Sequence, residues 1–280
     1  MKGRPGRLGR GRLAALGGAF LAAALIGFAL VHLLAAPVVP PVVVRTANAH
    51  RLLSGGIAAH IDRLLHERLP SGSNHPRLVA LTFDDGPYPV ETPLLLDELT
   101  QLHVPATFFL IGADTELFPA LAQRIAGDGD EIANHTQTHP ADFQALDAAA
   151  VRRELDRGAA TLERYVHDPA IRMMMRPPHG RFTLRTVEAA QGDGYHVILW
   201  SDDPGDWRAA ATPSVIDAHV ARYATAPDII LLHSGKINTI EALPSLVARF
   251  RMAGFRFVTV GELLRTVPLS QILHPERLRI

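Results

Sequence analysis

From Arg77 onward the chain alternates short β-rich runs with stretches of helical spacing, and that alternation admits few folds. The runs are Leu78–Phe83, Ala106–Ile111, Glu131–Asn134, Ile171–Met175, His196–Trp200, Ile229–Leu232 and Arg256–Val260. Helical patterns lie between them, at Thr92–Leu102, Ala148–Tyr165, Pro213–Tyr223 and Glu241–Ala253, the last closed by Gly254. Strands that alternate with helices pair in parallel through crossover connections. About seven such units in roughly 190 residues exceed a small open sheet and predict a distorted (β/α) barrel.

The chemically capable residues fall just past the ends of these runs. Asp84 and Asp85 follow the first run; Asn134, His135 and His139 follow the third. Arg176 follows the fourth, Asp203 and Asp206 the fifth, and His233 the sixth. In (β/α) barrels the active site is built at the C-terminal ends of the strands, and scattered surface charges would not respect that rule repeatedly.

Composition narrows the chemistry. The 280 residues contain no cysteine, so disulfides, thiolate metal sites and a cysteine nucleophile are excluded, and any metal must be held by His, Asp or Glu. A formal net charge of zero argues against a nucleic-acid partner bound through a broad basic surface. No obligate protein partner is evident.

The N-terminal part reads separately. Lys2, Arg4, Arg7, Arg10 and Arg12 form a basic tail over residues 1–12, ahead of an apolar run at 13–36. A span of about 20 apolar residues crosses the hydrocarbon core, and the basic flank stays cytoplasmic. The expectation is a single-pass signal-anchor in the cell membrane, with everything after it extracytoplasmic. Ala47-Asn48-Ala49 offers the alternative of cleavage and secretion. Residues 37–75 read as an extracytoplasmic linker: a stiff proline-rich spacer, then a stalk with Leu53, Ile57, Ile61 and Leu65 on one side. A catalytic domain at 76–268 and a tail at 269–280 complete the chain.

His135 and His139 are four residues apart, which predicts two imidazoles on one side of a helical turn. Two histidines and a carboxylate make a catalytic divalent-metal set with positions left open. Asp84 and Asp85 are adjacent at a strand end, where their side chains must diverge: one can bind metal while the other stays free as a base. Met173-Met174-Met175 reads as strand packing, and Trp200 as core.

Five segments together resemble the polysaccharide deacetylases, carbohydrate esterases that remove N- or O-acetyl groups. They are Thr82-Phe83-Asp84-Asp85-Gly86-Pro87, His135-Thr136-Gln137-Thr138-His139-Pro140, Arg176-Pro177-Pro178-His179-Gly180, the stretch from Trp200 to Trp207, and Leu231-Leu232-His233. The resemblance covers about residues 77 to 266. It implies a distorted (β/α) barrel and one divalent ion, zinc or cobalt, held by Asp85, His135 and His139. It implies Asp84 as general base, Arg176 as the residue that orients it, and His233 as general acid. Asp203, or else Asp206, would hold His233 protonated, and Trp207, Leu231, His179 and Asp206 would meet substrate. Two positions depart from the family pattern: His179 replaces a Tyr or Phe, and Ser234 replaces an Asp that is common there.

These roles suit amide hydrolysis, which needs activated water, a stabilised oxyanion and a proton for the departing amine. The expected function is therefore metal-dependent removal of acetyl groups from N-acetylated sugars of a cell-wall-type polysaccharide, peptidoglycan- or chitin-like. An O-acetyl esterase on acetylated xylan or exopolysaccharide is the alternative, and an inactive carbohydrate-binding protein the second.

Overall fold

The computed structural model describes residues 77–223 and 226–267. The basic tail, apolar run, linker and stalk expected before residue 77, and the expected tail at 269–280, lie outside the described residues. Among the described residues no helix is long and apolar enough to cross a membrane.

The strands are β1 (Arg77–Asp84), β2 (Ala106–Leu110), β3 (Glu131–Asn134), β4 (Met174–Met175), β5 (His196–Val197), β6 (Asp228–His233) and β7 (Phe255–Phe257). The helices are α1 (Glu91–Leu102), α2 (Gly112–Leu117), α3 (Pro119–Gly127), α4 (Ala148–Glu163), α5 (Ala170–Met173), α6 (Leu184–Gly192), α7 (Pro213–Tyr223), α8 (Ile237–Met252) and α9 (Val260–Thr266). All strand pairs are parallel, in the order β5-β4-β3-β2-β1-β6, with β7 alongside the start of β1. Beyond β5 the chain reaches back to β6, where Asp202 and Ile230 form a parallel bridge. The expected barrel is thus a parallel α/β sheet whose two ends meet only through that short bridge.

β1 shows why the sequence takes this form. Its residues from Leu78 to Asp84 are all buried, as in a strand covered on both faces. Val79, Leu81 and Phe83 join Phe108, Leu110, Ile132, Ile230 and Leu232 in one apolar cluster. Leu78 and Ala80 join Phe109, Ala133, Leu231 and Trp200 in another. The two-residue period of the strand therefore puts Thr82 and Asp84 on the second, inner side.

Two expected strands are much shorter than their β-rich runs. Residues 170–173 form the helical turn α5, leaving β4 only Met174 and Met175; Met173 is exposed rather than packed in the sheet. Pro169 opens the turn, and the Asp168 carboxylate fixes it by accepting the Ala170 N–H at 2.9 Å and the Ile132 N–H at 2.7 Å. The run at 196–200 pairs as a strand only over His196 and Val197, because the Arg176 side chain takes the Ile198 and Leu199 carbonyls at 3.2 and 3.0 Å. A neighbouring strand would otherwise use them. The last run ends early too, since Thr259 caps α9 by accepting the Glu262 N–H at 3.2 Å.

At the opposite end of the sheet, Asp130 enters β3 buried and accepts the Ala106 N–H at 2.8 Å. Burial, with Asp128 adding to it, pushes this carboxyl up to about 7. The ionised form is the disfavoured one, so the penalty is absent below the ordinary carboxylate range near about 3.9 and complete above about 7. The full chain should lose stability as pH rises through that window. Asp130→Asn should remove that loss, melting a few degrees higher than wild type at pH 8 and no higher at pH 4. Equal melting temperatures at pH 8 would contradict this.

Candidate metal centre and acid–base pair

At the C-terminal ends of the strands, Asp85, His135 and His139 bring three ligand atoms within 4.8 Å of one another. Asp85 Oδ1 lies 3.6 Å from His135 Nε2 and 3.4 Å from His139 Nε2. Ligand atoms about 2.0–2.1 Å from a tetrahedral ion sit roughly 3.3 Å apart, close to both distances from Asp85, so the three side chains suit one shared divalent metal.

The tautomer of His135 is fixed by its neighbour. Its Nδ1 lies 2.8 Å from the Arg176 carbonyl, which can only accept, so Nδ1 carries the proton and Nε2 presents its lone pair to Asp85 and His139. Burial holds the ring neutral, with its pKa lowered to about 3.

The two histidines converge by a route other than the expected helical turn. Residues 135–140 form no helix, and Thr136 and His139 are left-handed, at φ 71° and 51°. The loop is held by its surroundings. Asn134 Oδ1 accepts the Thr136 N–H at 2.8 Å, Glu154 accepts the Thr138 N–H at 2.9 Å, and Gly112 donates to the Thr136 carbonyl at 3.0 Å. Asp85 and His179 are also left-handed, so among the described residues four of the five non-glycine residues with positive φ lie at this site.

Asp84 sits beside the triad but is directed elsewhere. Its Oδ1 accepts from Arg176 Nη1 at 2.5 Å, and its Oδ2 lies 3.7 Å from His135 Nε2. Burial pushes the carboxyl above its usual range, against the pull of Arg176 and His233. Arg176 is fully buried, donates also to Thr82 Oγ1 at 2.8 Å, and lies 4.0 Å from the Phe109 ring centre.

His233 ends β6. Its carboxylate partner is Asp206, one of the two aspartates that the sequence offered for that place. Asp206 Oδ1 lies 2.7 Å from His233 Nδ1, and Oδ2 accepts the His233 N–H at 2.8 Å and the Thr239 hydroxyl at 2.7 Å. Asp203 instead folds back on its own loop and accepts the Gly205 N–H at 2.8 Å. Burial alone would lower the affinity of His233 for a proton, but Asp206 outweighs it, with Asp84 and Asp85 adding, and the pKa rises to about 8.

The remaining predicted residues are placed as follows. Leu231 is buried in β6, two residues before His233 and so on the same side of the strand. Trp207 is half exposed. His179 is exposed, with its ring edge-on to His139 at 4.6 Å between centres. Ser234, at the departing position, donates to the Asp84 and Asp85 carbonyls at 3.1 and 3.0 Å.

Two contributors were not singled out from sequence. Thr82 links Arg176 to the Ile230 carbonyl, accepting at 2.8 Å and donating at 2.7 Å. Gly158, inside α4, touches the metal loop: an added Cβ would lie 2.7 Å from Asn134 Oδ1 and 2.9 Å from the Thr136 carbonyl carbon. A glycine within a helical pattern was the available signal.

The fold and site define a parallel α/β domain with a cluster of two histidines and one carboxylate beside a buried Asp–Arg pair and a carboxylate-paired histidine. Residues 71–198 match the family model for polysaccharide deacetylase. The chain is 38% identical over 197 residues to a peptidoglycan-N-acetylglucosamine deacetylase of Bacillus cereus, a match covering 69% of this chain and 90% of that protein. It is 34% identical over 192 residues to a chitooligosaccharide deacetylase of Rhizobium leguminosarum bv. trifolii, covering 69% and 85%. A crystal structure of a peptidoglycan N-acetylglucosamine deacetylase in complex with 4-naphthalen-1-yl-N-oxidanyl-benzamide matches with a TM-score of 0.65 at 32% identity, covering 70% of this chain and 92% of that one. The chain belongs to the polysaccharide deacetylase family.

In most helices Gly→Ala stabilises by up to about 1 kcal/mol. Gly158→Ala should instead push the metal loop away and weaken zinc binding to the chelator-stripped full chain by about tenfold or more, read by calorimetry. Unchanged affinity would mean that α4 does not support the loop.

Proposed function

We propose that this protein is a metal-dependent deacetylase that hydrolyses the acetamido group of N-acetylated sugars in a cell-wall-type polysaccharide and releases acetate. The observation that carries the reading is the separation of two adjacent carboxylates: Asp85 faces the two histidines, and Asp84 stands beside them on Arg176. The deacetylase relatives support the same reaction.

A zinc or cobalt ion held by Asp85, His135 and His139 would supply the Lewis acid that polarises the carbonyl and acidifies water. Asp84 takes the proton of the attacking water, and Arg176 keeps its carboxylate aimed and bound on the far oxygen. The Tyr88 N–H is spent on Thr92 Oγ1 at 2.8 Å, so the developing oxyanion takes its backbone donor from the turn at His179. His233 delivers a proton from Nε2 to the departing sugar amine, since Nδ1 donates to Asp206. Leu231 and Trp207 form apolar walls suited to a methyl group, and His179 borders the sugar. The basic tail and apolar run near the N-terminus anchor the domain in the cell membrane and place it outside the cytoplasm, beside its polymer.

Acetate release from the chelator-stripped full chain tests the reaction. Zinc or cobalt should restore release from chito-oligosaccharides or peptidoglycan. Release from acetylated xylan alone would replace the amidase with an esterase, and metal uptake without any release would leave a binding protein.

The acid assignment has its own signature. His233 works protonated, so kcat/KM on an amide substrate should fall as pH rises through about 8. In Asp206→Asn the alkaline limb should move to lower pH by one unit or more, because the stronger hydrogen bond and the charge are both lost. An unmoved limb would remove His233 from the role of acid.

A further inference from the structure

The segment that leaves the sheet after β5 carries Asp206 and Trp207 and returns as α7. Asp202 opens it on the bridge to β6: its N–H donates to the Ile229 carbonyl at 3.2 Å, and its own carbonyl accepts the Leu231 N–H at 2.9 Å. Asp203, Gly205, Asp206 and Trp207 follow. The chain then passes Ala211, whose carbonyl accepts from Asn238 Nδ2 at 2.6 Å, and Thr212, whose hydroxyl caps α7 by accepting the Val215 N–H at 3.3 Å. Further along α7, His219 comes back to the start of the segment. Its Nε2 lies 2.8 Å from Asp202 Oδ1, a contact between residues 17 apart in sequence. The Asp202–His219 pair therefore closes the base of the loop that holds Asp206 and Trp207.

This pair differs from the ion pairs of the open surface, such as Arg172 with Glu163, where both side chains stay solvated and the contact fixes little. Asp202 is buried, and its Oδ2 has no hydrogen-bond partner. A buried carboxylate bound through one oxygen is costly unless a cation lies against it, and His219 supplies that cation. The hydrogen bond to Asp202 raises the proton affinity of His219 above the ordinary range for histidine, against burial; the Asp202 and Asp203 charges add to it, and Arg208 opposes. A loop tied at its base loses conformational freedom. His233 and Thr239 hold the Asp206 carboxylate from β6 and α8, while the pair at the base holds the backbone that delivers it.

We propose that Asp202 and His219 are positioning residues whose contact clasps the base of this loop, presenting Asp206 to His233 and Trp207 to the sugar. This rests on the deacetylase reading of the site. The clasp acts through Asp206 and not through the charge of His219, and the two routes have opposite signs. Loss of a nearby cation by itself would favour protonated His233 and raise its pKa. A loosened Asp206 would lower it, because the hydrogen bond and charge of Asp206 are what outweigh burial there, with Asp84 and Asp85 adding.

The test compares the zinc-loaded full chain with its His219→Ala and His219→Gln variants. It reads the His233 imidazole by NMR titration, and acetate release from a chito-oligosaccharide across pH. In His219→Ala the His233 pKa should fall by about half a unit or more, and the alkaline limb of kcat/KM should move down with it. KM should rise by about threefold or more, as Trp207 is no longer held in place. His219→Gln keeps a donor for Asp202 without the charge, so it should show a smaller shift in the same direction. An unchanged or raised His233 pKa in both variants overturns the proposal. So does a lower melting temperature with KM and the alkaline limb unmoved, which would leave the pair a structural contact alone. If His219→Ala does not fold, the titration of His219→Gln decides by itself. If wild type releases no acetate, the deacetylase reading fails, and the His233 titration still decides the clasp.

Discussion

The buried pair of Arg176 and Asp84 is the contact on which the rest of the site depends. Removing an arginine side chain and a carboxylate from water costs several kcal/mol per ion, and only close geometry and further hydrogen bonds offset it. Here Arg176 meets the Asp84 carboxylate, the Thr82 hydroxyl and the Ile198 and Leu199 carbonyls, with the Phe109 ring beneath it. Its own carbonyl receives the His135 Nδ1 proton. One residue therefore ties β1, β4 and the segment after β5 together, aims the Asp84 carboxylate, and sets the tautomer of a metal-ligand candidate. Deleting either partner would leave a buried charge unmatched, at a cost of about 3–5 kcal/mol.

Strand geometry then separates two chemically identical side chains. Asp84 is the last inward residue of β1, on the side that faces Arg176. Asp85 lies one residue further, past the strand end and in a left-handed conformation, which turns it to the two histidines. Ser234 ties the end of β6 to the carbonyls of both aspartates, so His233 on β6 and Asp84 on β1 share one rigid support. A buried carboxylate and a carboxylate-paired histidine are thereby held near the same three-residue cluster.

Much of this was legible in the sequence. The alternation of strands and helices specified a parallel sheet, and the habit of placing chemistry at strand ends gathered Asp84, Asp85, His135, His139, Arg176 and His233 from the sequence. What was not legible depends on contacts distant in sequence. His135 and His139 meet through a loop held by Asn134, Gly112 and Glu154, where spacing alone suggested a helical turn. Asp203 and Asp206 are equivalent candidates by spacing. Only the turn at Gly205, which engages Asp203, leaves Asp206 to reach His233. The runs at 171–175 and 196–200 have strand composition, but Asp168 and Arg176 take the backbone groups that longer strands would have used.

The central claim is the division of labour between the adjacent aspartates, and zinc titration of the chelator-stripped full chain tests it most directly. Wild type and Asp84→Asn should each take up one equivalent of zinc, while Asp85→Asn should bind far more weakly or not at all. Loss of the tight equivalent in Asp84→Asn with retention in Asp85→Asn would reverse the assignment and contradict the account.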